Sequence, residues 1–295
     1  MEKKAIIGWL GMGVMGRRMA GHLLAAGHEL HVFSRTKSKA EALLEQGAEW
    51  GPSPKDVSRK CDVIFTMLGY PRDVQEVYCG SEGILEGCRP GSILVDMTTS
   101  SPELAVEIAG KARRKGCRLL DAPVSGGDVG AENATLAIMC GGDEHAFEDL
   151  VPLLRIMGDK IEFFGDSGSG QRVKMSNQIL IASSMVGTVE ALLYAERANL
   201  ELTQVIRLIG QGAAGCWSLN QLGPRMVKGD WEPGFFVKHF IKDMGIALED
   251  AKRMGLNLKG LELAFEFYQE VEREGFAEKG TQVLMRVLAK MNKSE

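Results

Sequence analysis

The 295-residue sequence lacks what would mark a metal protein, a disulfide scaffold or a membrane protein. Its six cysteines (61, 79, 88, 117, 140 and 216) include no C-x-x-C pair and no histidine partner at metal-ligand spacing. They are expected to be scattered, buried or half-buried thiols of a reducing cytoplasm. The five histidines are equally scattered. Only His239, beside two lysines, lies near functional-looking residues, and an incidental role is expected for it. No metal site is expected. Excess charge is missing too: 35 Lys and Arg against 39 Asp and Glu leave −4, which gives no footprint for nucleic acid or an anionic membrane. The densest basic run, Lys111 to Lys115, falls late in an expected surface helix, where it complements the dipole. Glu2, Lys3 and Lys4 precede an apolar run of only about six residues, too short for a signal-peptide core. Repeats and low-complexity tracts are absent. The composition is that of an ordinary soluble chain with room for about two domains.

What the sequence does have begins at residue 5. An apolar strand runs into Gly11-Met12-Gly13-Val14-Met15-Gly16, and an amphipathic helix follows to about Ala26. Gly11 permits a tight turn, Gly13 lets backbone approach a pyrophosphate, and Gly16 lets helix and strand pack closely. Among 36 glycines a bare G-x-G-x-x-G can arise by chance as a turn without a ligand. Here it closes the first strand and precedes a second, Glu29–Ser34, which is the context of a dinucleotide site.

The second strand lacks the acidic end that an NAD site uses to hold the ribose 2′-hydroxyl. Ser34-Arg35-Thr36 stands there, with Lys37 and Lys39 close behind. A guanidinium can stack on adenine and fork onto a 2′-phosphate, with no carboxylate present to repel it. NADP(H) is therefore expected in preference to NAD(H), which stays possible; the alternative is a solvated basic stretch at a helix start.

Strand signals near 5–10, 29–34, 62–68, 92–96 and 118–121 alternate with helical ones near 37–46, 71–78 and 102–115. Pro102, after Ser100-Ser101, suits a first helical turn. Such alternation predicts an α/β domain with a parallel, doubly wound Rossmann sheet and a crevice at the strands' carboxyl ends. Two later strands near 135–140 and 160–164 are expected to extend the sheet around a helix at 143–157. A helical pattern then runs from Gln171 to about Asn199, roughly 40 Å at 1.5 Å per residue. It predicts a long interdomain helix leading into an all-helical second domain broken by Gly210–Gly215, Gly229–Gly234 and Gly255–Gly260. The expected domains are residues 1–164 and 165–295.

Three further segments carry polar residues where a core would not want them. Val95 to Ser100 places Thr99 and its neighbours at the crevice, or caps the next helix. Asp121-Ala-Pro-Val-Ser125-Gly126-Gly127 could grip a carboxylate through Ser125 and two backbone amides, or be a plain turn. Lys174, Asn177 and Gln178 fall on one face of the long helix. A lysine in a helix's opening turns meets the positive end of the dipole, and partial burial adds to that effect. Both push its pKa down, as a proton donor to a carbonyl requires. Alone, Lys174 also reads as an ordinary exposed helix lysine.

Taken together, Gly11–Gly16, Asp121–Gly127, Gly168-x-Gly170-x-x-x-Lys174-x-x-Asn177 and Lys242-Asp243 closely resemble the β-hydroxyacid dehydrogenase family. That family includes 3-hydroxyisobutyrate dehydrogenase, tartronate semialdehyde reductase and the glyoxylate/succinic semialdehyde reductases. The resemblance runs from about residue 4 to 290 in the expected order. It implies that Met12, Gly13, Val14 and Met15 form the pyrophosphate turn and that Ser34, Arg35 and Thr36 grip a 2′-phosphate. It also implies that Met67 and Leu68 lie over the adenosine ribose and nicotinamide side. Thr99, Ser125, Gly126, Lys174 and Asn177 then line the substrate, with Lys174 as acid/base. Lys242, Asp243 and Phe235 belong to a lid. Many members carry Asn where this chain has Gln178 and others carry Gln, so the resemblance still implies activity, with a donor geometry towards substrate that differs from the Asn members. Non-catalytic relatives in chromatin proteins lack the lysine, imine reductases generally replace it, and 6-phosphogluconate dehydrogenases carry His at the position of Asn177.

The resemblance thus implies an NADPH-preferring, cytoplasmic reductase of a small semialdehyde or keto acid such as glyoxylate or succinic semialdehyde. In that reading Lys174 is the acid/base, Asn177 holds it or the oxygen, Ser125, Gly126 and Gly127 anchor a carboxylate, and Thr99 positions the substrate. An NAD-dependent 3-hydroxyisobutyrate or tartronate semialdehyde type dehydrogenase is the enzymatic alternative, and a dinucleotide-binding interaction module the non-enzymatic one. Apolar residues on more than one face of Gln171–Asn199 predict a homodimer or homotetramer through the second domain.

Overall fold

Strands form in the first half where short apolar runs can be buried on both faces: β1 (Ile7–Leu10), β4 (Val63–Thr66) and β5 (Ile93–Asp96) are buried throughout. The computed structural model describes residues 5–292. One compact unit runs to Lys174 and a second begins at Met175. In the first, α1 (Val14–Ala25) follows β1 and leads to β2 (Leu30–Phe33). A 3₁₀ turn at Lys37–Ala40 then precedes α2 (Glu41–Glu45), β3 (Glu49–Trp50) and α3 (Pro54–Lys60). After β4 come α4 (Pro71–Cys79), β5, α5 (Pro102–Arg114) and β6 (Arg118–Asp121). The unit continues with β7 (Val124–Ser125), α6 (Gly127–Glu132), β8 (Leu136–Gly142), α7 (Glu144–Leu154) and β9 (Gly158–Phe163). The helix α8 (Ser169–Arg197) begins here and carries on into the second unit's residues.

The strands line up in the order β3-β2-β1-β4-β5-β6-β8-β7, with β9 on β8. The first six are parallel in the Rossmann order. Beyond them the two later strands extend the sheet as expected, but β8 runs antiparallel to β6 and to β7. A parallel return needs a full crossover, and the segment between β6 and β8 holds only the two-residue β7 and the short α6. The core lies on both sheet faces, one side built around Trp9 and Phe65, stacked at 5.4 Å, the other around Leu10, Ile64, Leu94 and Tyr78. Sequence patterning missed α3 and β3, which are too short to show a period.

The second unit is helical: the continuation of α8, then α9 (Leu202–Ile209), a π-helical turn at Ser218–Leu222, α10 (Gly223–Val227), α11 (Val237–Arg253), α12 (Lys259–Arg273) and α13 (Leu284–Met291). Among the described residues it holds no strand, only an isolated bridge between Phe236 and Gly280. By length and composition alone α8 could cross a membrane, with a mean hydropathy of 1.4 over its most apolar stretch. In this unit its Ala182, Met185, Val189 and Leu192 are fully buried against the other helices, as a core helix requires.

Phe240 is the centre of that core, fully buried and edge-on to Tyr268 at 4.9 Å and Phe235 at 5.7 Å. Phe240→Ala should cost about 3–5 kcal/mol of stability. Leu180→Ala, at a site 71% exposed, should change it by less than about 0.5 kcal/mol. Chemical denaturation of the two variants checks the contrast.

Candidate active site

The last residues of four adjacent strands fall in one row: Leu10 pairs with Thr66, Thr66 with Asp96, and Asp96 with Asp121. Segments leaving this row carry most of the residues expected to bind. At β1 the turn has the required form. Gly11 sits at φ +105°, and a side chain on it would strike the Met67 carbonyl. Gly16 is closed in by the Gly11 carbonyl and by Trp9 Nε1, which itself donates to that carbonyl at 3.2 Å. Gly13, the N-cap of α1, has open space where a Cβ would stand, and the helix's first turn carries no acidic residue. A pyrophosphate fits such a turn, because uncapped amides face an uncrowded backbone. Met12 is expected in this turn, yet its side chain is 2% exposed and packs in the core, so only its backbone can serve.

At β2, Ser34 is half-buried and Arg35 and Thr36 are exposed. No carboxylate ends this strand, but one arrives from α4. Asp73, nearly buried, accepts from Arg35 Nη1 at 3.1 Å, and its Oδ2 has no hydrogen-bond partner. The expectation that no carboxylate stands near Arg35 is thereby corrected. The pairing spans 38 positions and has no local signature.

At these strand ends lies a buried polar network: Asp96 and Thr98 fall in the segment Val95 to Ser100, while Thr66 and Tyr78 lie outside the polar segments read from sequence. Thr66 Oγ1 donates to Asp96 Oδ1 at 2.8 Å and meets the Tyr78 hydroxyl at 3.1 Å. Asp96 Oδ1 also accepts from Thr98 N at 3.1 Å, and Thr98 Oγ1 accepts from Leu68 N at 2.9 Å. The half-buried Met67, Leu68 and Thr99 are thus borne on backbone tied to this network. Burial pushes the Tyr78 phenol well up, with Asp96 adding to the effect, so it stays protonated.

Ser125 ends β7, and Gly126 and Gly127, both at positive φ, lead into α6. Lys174 is 7% exposed, not an ordinary surface lysine, and stands in the second turn of α8, whereas Arg172 faces out. Asp121 and Gln171, both fully buried, hold the start of that helix. Burial pushes the Asp121 carboxyl up to about 7, against backbone amides of Gly168 and Gln171 that favour its charge.

In the second unit, Asn177 Nδ2 donates to Gln178 Oε1 at 2.7 Å, and Gln178 Nε2 donates to Asp243 Oδ2 at 2.7 Å. Lys242 Nζ lies 3.0 Å from Asp243 Oδ1. These four expected residues are brought together, while Phe235 packs on Phe240. His239 is pushed down to about 4, by burial first and by Lys242 next, and is neutral at physiological pH.

The raised Asp121 value has a thermodynamic sign. Its folded pKa of about 7 exceeds an unfolded value near 3.8, so the folded state holds the extra proton between those limits. The stability this group contributes is therefore greatest at low pH and declines as pH rises from about 4 to 7, by at most a few kcal/mol. The stability of wild type relative to Asp121→Asn should be lower at pH 8 than at pH 5. Denaturation of both proteins at the two pH values checks it; a difference growing with pH would refute the assignment.

A family model described as the NAD binding domain of 6-phosphogluconate dehydrogenase matches residues 6–165. A second, described as NAD-binding of NADP-dependent 3-hydroxyisobutyrate dehydrogenase, matches residues 168–288. An uncharacterized oxidoreductase of Bacillus subtilis is 52% identical over 287 residues, covering 97% of this chain and 100% of that one. The probable 3-hydroxyisobutyrate dehydrogenase-like 1, mitochondrial, of Arabidopsis thaliana is 50% identical, covering 97% of this chain and 86% of that one. Among solved structures, Mycobacterium tuberculosis 3-hydroxyisobutyrate dehydrogenase with L-serine superposes with a TM-score of 0.89 at 29% identity, over 97% and 99% of the two chains. A dinucleotide turn on a Rossmann sheet, a buried lysine on the following long helix and matches across nearly the whole length converge: the chain belongs to the β-hydroxyacid dehydrogenase family, as an NAD(P)-dependent hydroxyacid dehydrogenase.

Proposed function

We propose that the protein interconverts a small semialdehyde or keto acid, of the glyoxylate or succinic semialdehyde kind, with its hydroxy acid, using NADP(H) in preference to NAD(H). The observation that carries this reading is Lys174: an ammonium-bearing side chain only 7% exposed, on a helix whose start is fixed at the carboxyl end of the sheet. The glycine turn at Gly11–Gly16 and the residues Ser34, Arg35 and Thr36 would hold the dinucleotide. Bound NADPH supplies a hydride. Lys174 gives a proton to the carbonyl oxygen as negative charge develops there, and takes it back in oxidation. Ser125 and the amides of Gly126 and Gly127 are suited to a substrate carboxylate, and Thr99 to orienting the substrate. Asn177, Gln178, Lys242, Asp243 and Phe235 are assigned to substrate and cofactor on the family's pattern. A homodimer or homotetramer through the second unit is also proposed, supported by the exposed Leu180 and Tyr194 of α8 and Leu208 of α9.

One observation favours a second reading, the NAD-dependent 3-hydroxyisobutyrate or tartronate semialdehyde type of dehydrogenase. Asp73 holds Arg35, and its unpartnered Oδ2 could accept from a ribose hydroxyl. Binding of the two reduced cofactors under one set of conditions decides between them. NADPH should bind wild type more tightly. Arg35→Asp should reverse the order, costing NADPH about 1.5–3 kcal/mol, the scale of a hydrogen bond to a charged group. Wild type that binds NADH at least as well would overturn the NADP assignment.

Lys174→Ala should lower turnover by roughly 10²–10⁴-fold, the usual share of a positioned acid. NADPH affinity should change far less, since Lys174 is not among the residues proposed to hold the dinucleotide. Steady-state kinetics with glyoxylate and with the succinic, tartronate and methylmalonate semialdehydes, and fluorescence titration of NADPH, test both. Near-normal turnover would remove Lys174 from the mechanism.

A further inference from the structure

In the first unit two fully buried side chains, Asp121 and Gln171, tie together three backbone segments that bear proposed site residues. Asp121, the last residue of β6, accepts from Gly168 N at 2.7 Å through Oδ1 and from Gln171 N at 2.9 Å through Oδ2. Both of its oxygens are thus committed to the opening turn of α8. The approach is possible because residue 170 is glycine: a Cβ there would strike the Met139 carbonyl and lie 2.9 Å from Asp121 Oδ2. Gln171 carries the frame on, donating Nε2 to Thr98 O at 2.7 Å and accepting from Ser100 N at 2.9 Å. The loop bearing Thr99, the end of β6 and the first turn of α8 are therefore joined through two buried side chains. Lys174 follows Gln171 by one helical turn.

We propose that Asp121 is a positioning residue for Lys174, fixing through the α8 first turn where the ammonium is presented. This rests on the reading of Lys174 as the proton donor. Serines at 167 and 169 stand beside the same amides, yet the acceptor is a carboxylate 47 and 50 residues earlier. A local hydroxyl could satisfy a helix start without burying a carboxylate, which costs free energy unless its partners are fixed. What the distant carboxylate adds is register between strand end and helix. Gln171 adds the second tie, to the loop after β5.

The test uses Asp121→Asn, which keeps the volume but sets an amide N–H₂ against one of two N–H donors. Gln171→Met, which removes both glutamine bonds at similar size, is the second variant. Each full-length protein is assayed for melting, for NADPH affinity, and for kcat and KM with glyoxylate and succinic semialdehyde. Both folded variants should lose about 10–10²-fold in kcat, the scale of an ångström of misplacement, with NADPH affinity within about threefold. The pair Asp121→Asn/Lys174→Ala should be no slower than Lys174→Ala alone, because the aspartate acts only through the lysine. A purely structural role would lower stability and leave the two losses additive. Should Asp121→Asn not fold, Gln171→Met decides. If neither aldehyde is turned over, the rate of reductive methylation at Lys174, read by peptide mass spectrometry, decides instead; it should rise several-fold in the variants. Turnover within twofold of wild type in the folded variants, beside an inactive Lys174→Ala, overturns the positioning role alone. An active Lys174→Ala overturns both readings.

Discussion

The register of four strand ends is the constraint on which the first unit's chemistry depends. Leu10, Thr66, Asp96 and Asp121 stand in one row, so the segments that leave them start from a common line. Three of the four are polar and buried, which is expensive at the end of strands whose buried residues are mostly apolar. Each finds its partner outside its own strand: Asp96 in Thr98 N, Thr66 in Asp96, and Asp121 in the amides of Gly168 and Gln171. The polar row thus turns strand register into loop position. An apolar row would pack as well and leave the loops free to choose their own course.

The second unit uses hydrogen-bond polarity in a similar way. Asp243 can only accept when ionised, so Gln178 must turn its Nε2 towards it and its Oε1 towards Asn177. Asn177 must then offer Nδ2 to Gln178, which leaves Oδ1 free to accept from another group. Two amide orientations that are otherwise ambiguous are fixed by one carboxylate. Glutamine reaches one methylene further than asparagine would at this position, and here that reach ends on α11.

What could be read from sequence depends on contact range. The glycine turn, β1, α1 and the long helix are local patterns, and β6 falls where its apolar run places it. The antiparallel β8 escaped because direction is set by pairing and by the length of the crossover, neither of which a strand's own residues encode. The site divides in the same way. Lys174, Ser125 and Gly11–Gly16 sit in recognisable neighbourhoods. Asp73, Thr66 and Gln171 owe their roles to partners tens of residues away. Asp121 lay inside a segment already singled out for Ser125, but its carboxylate faces away from that use and towards α8. Burial was the least legible property: nothing in the spacing around Lys174 distinguishes a lysine 7% exposed from one on the surface.

The Arg35–Asp73 pair shows how magnitude decides between two readings of one contact. The arginine is 79% exposed on its side chain while the aspartate is 8% exposed. An ion pair with so open a partner contributes at most about 1 kcal/mol, since water screens the guanidinium and the long side chain must be ordered. A 2′-phosphate carries more charge and offers several acceptor oxygens to a planar fork, the geometry for which arginine is suited. The guanidinium has donors beyond the one used on Asp73, so it can keep that contact while taking the phosphate. Asp73 then acts as a tether that holds the arginine beside the end of β2, at the cost of a carboxylate not far from the phosphate. On the proposed NADP(H) reading, the exposed guanidinium and not the nearly buried aspartate would be the group offered to the phosphate.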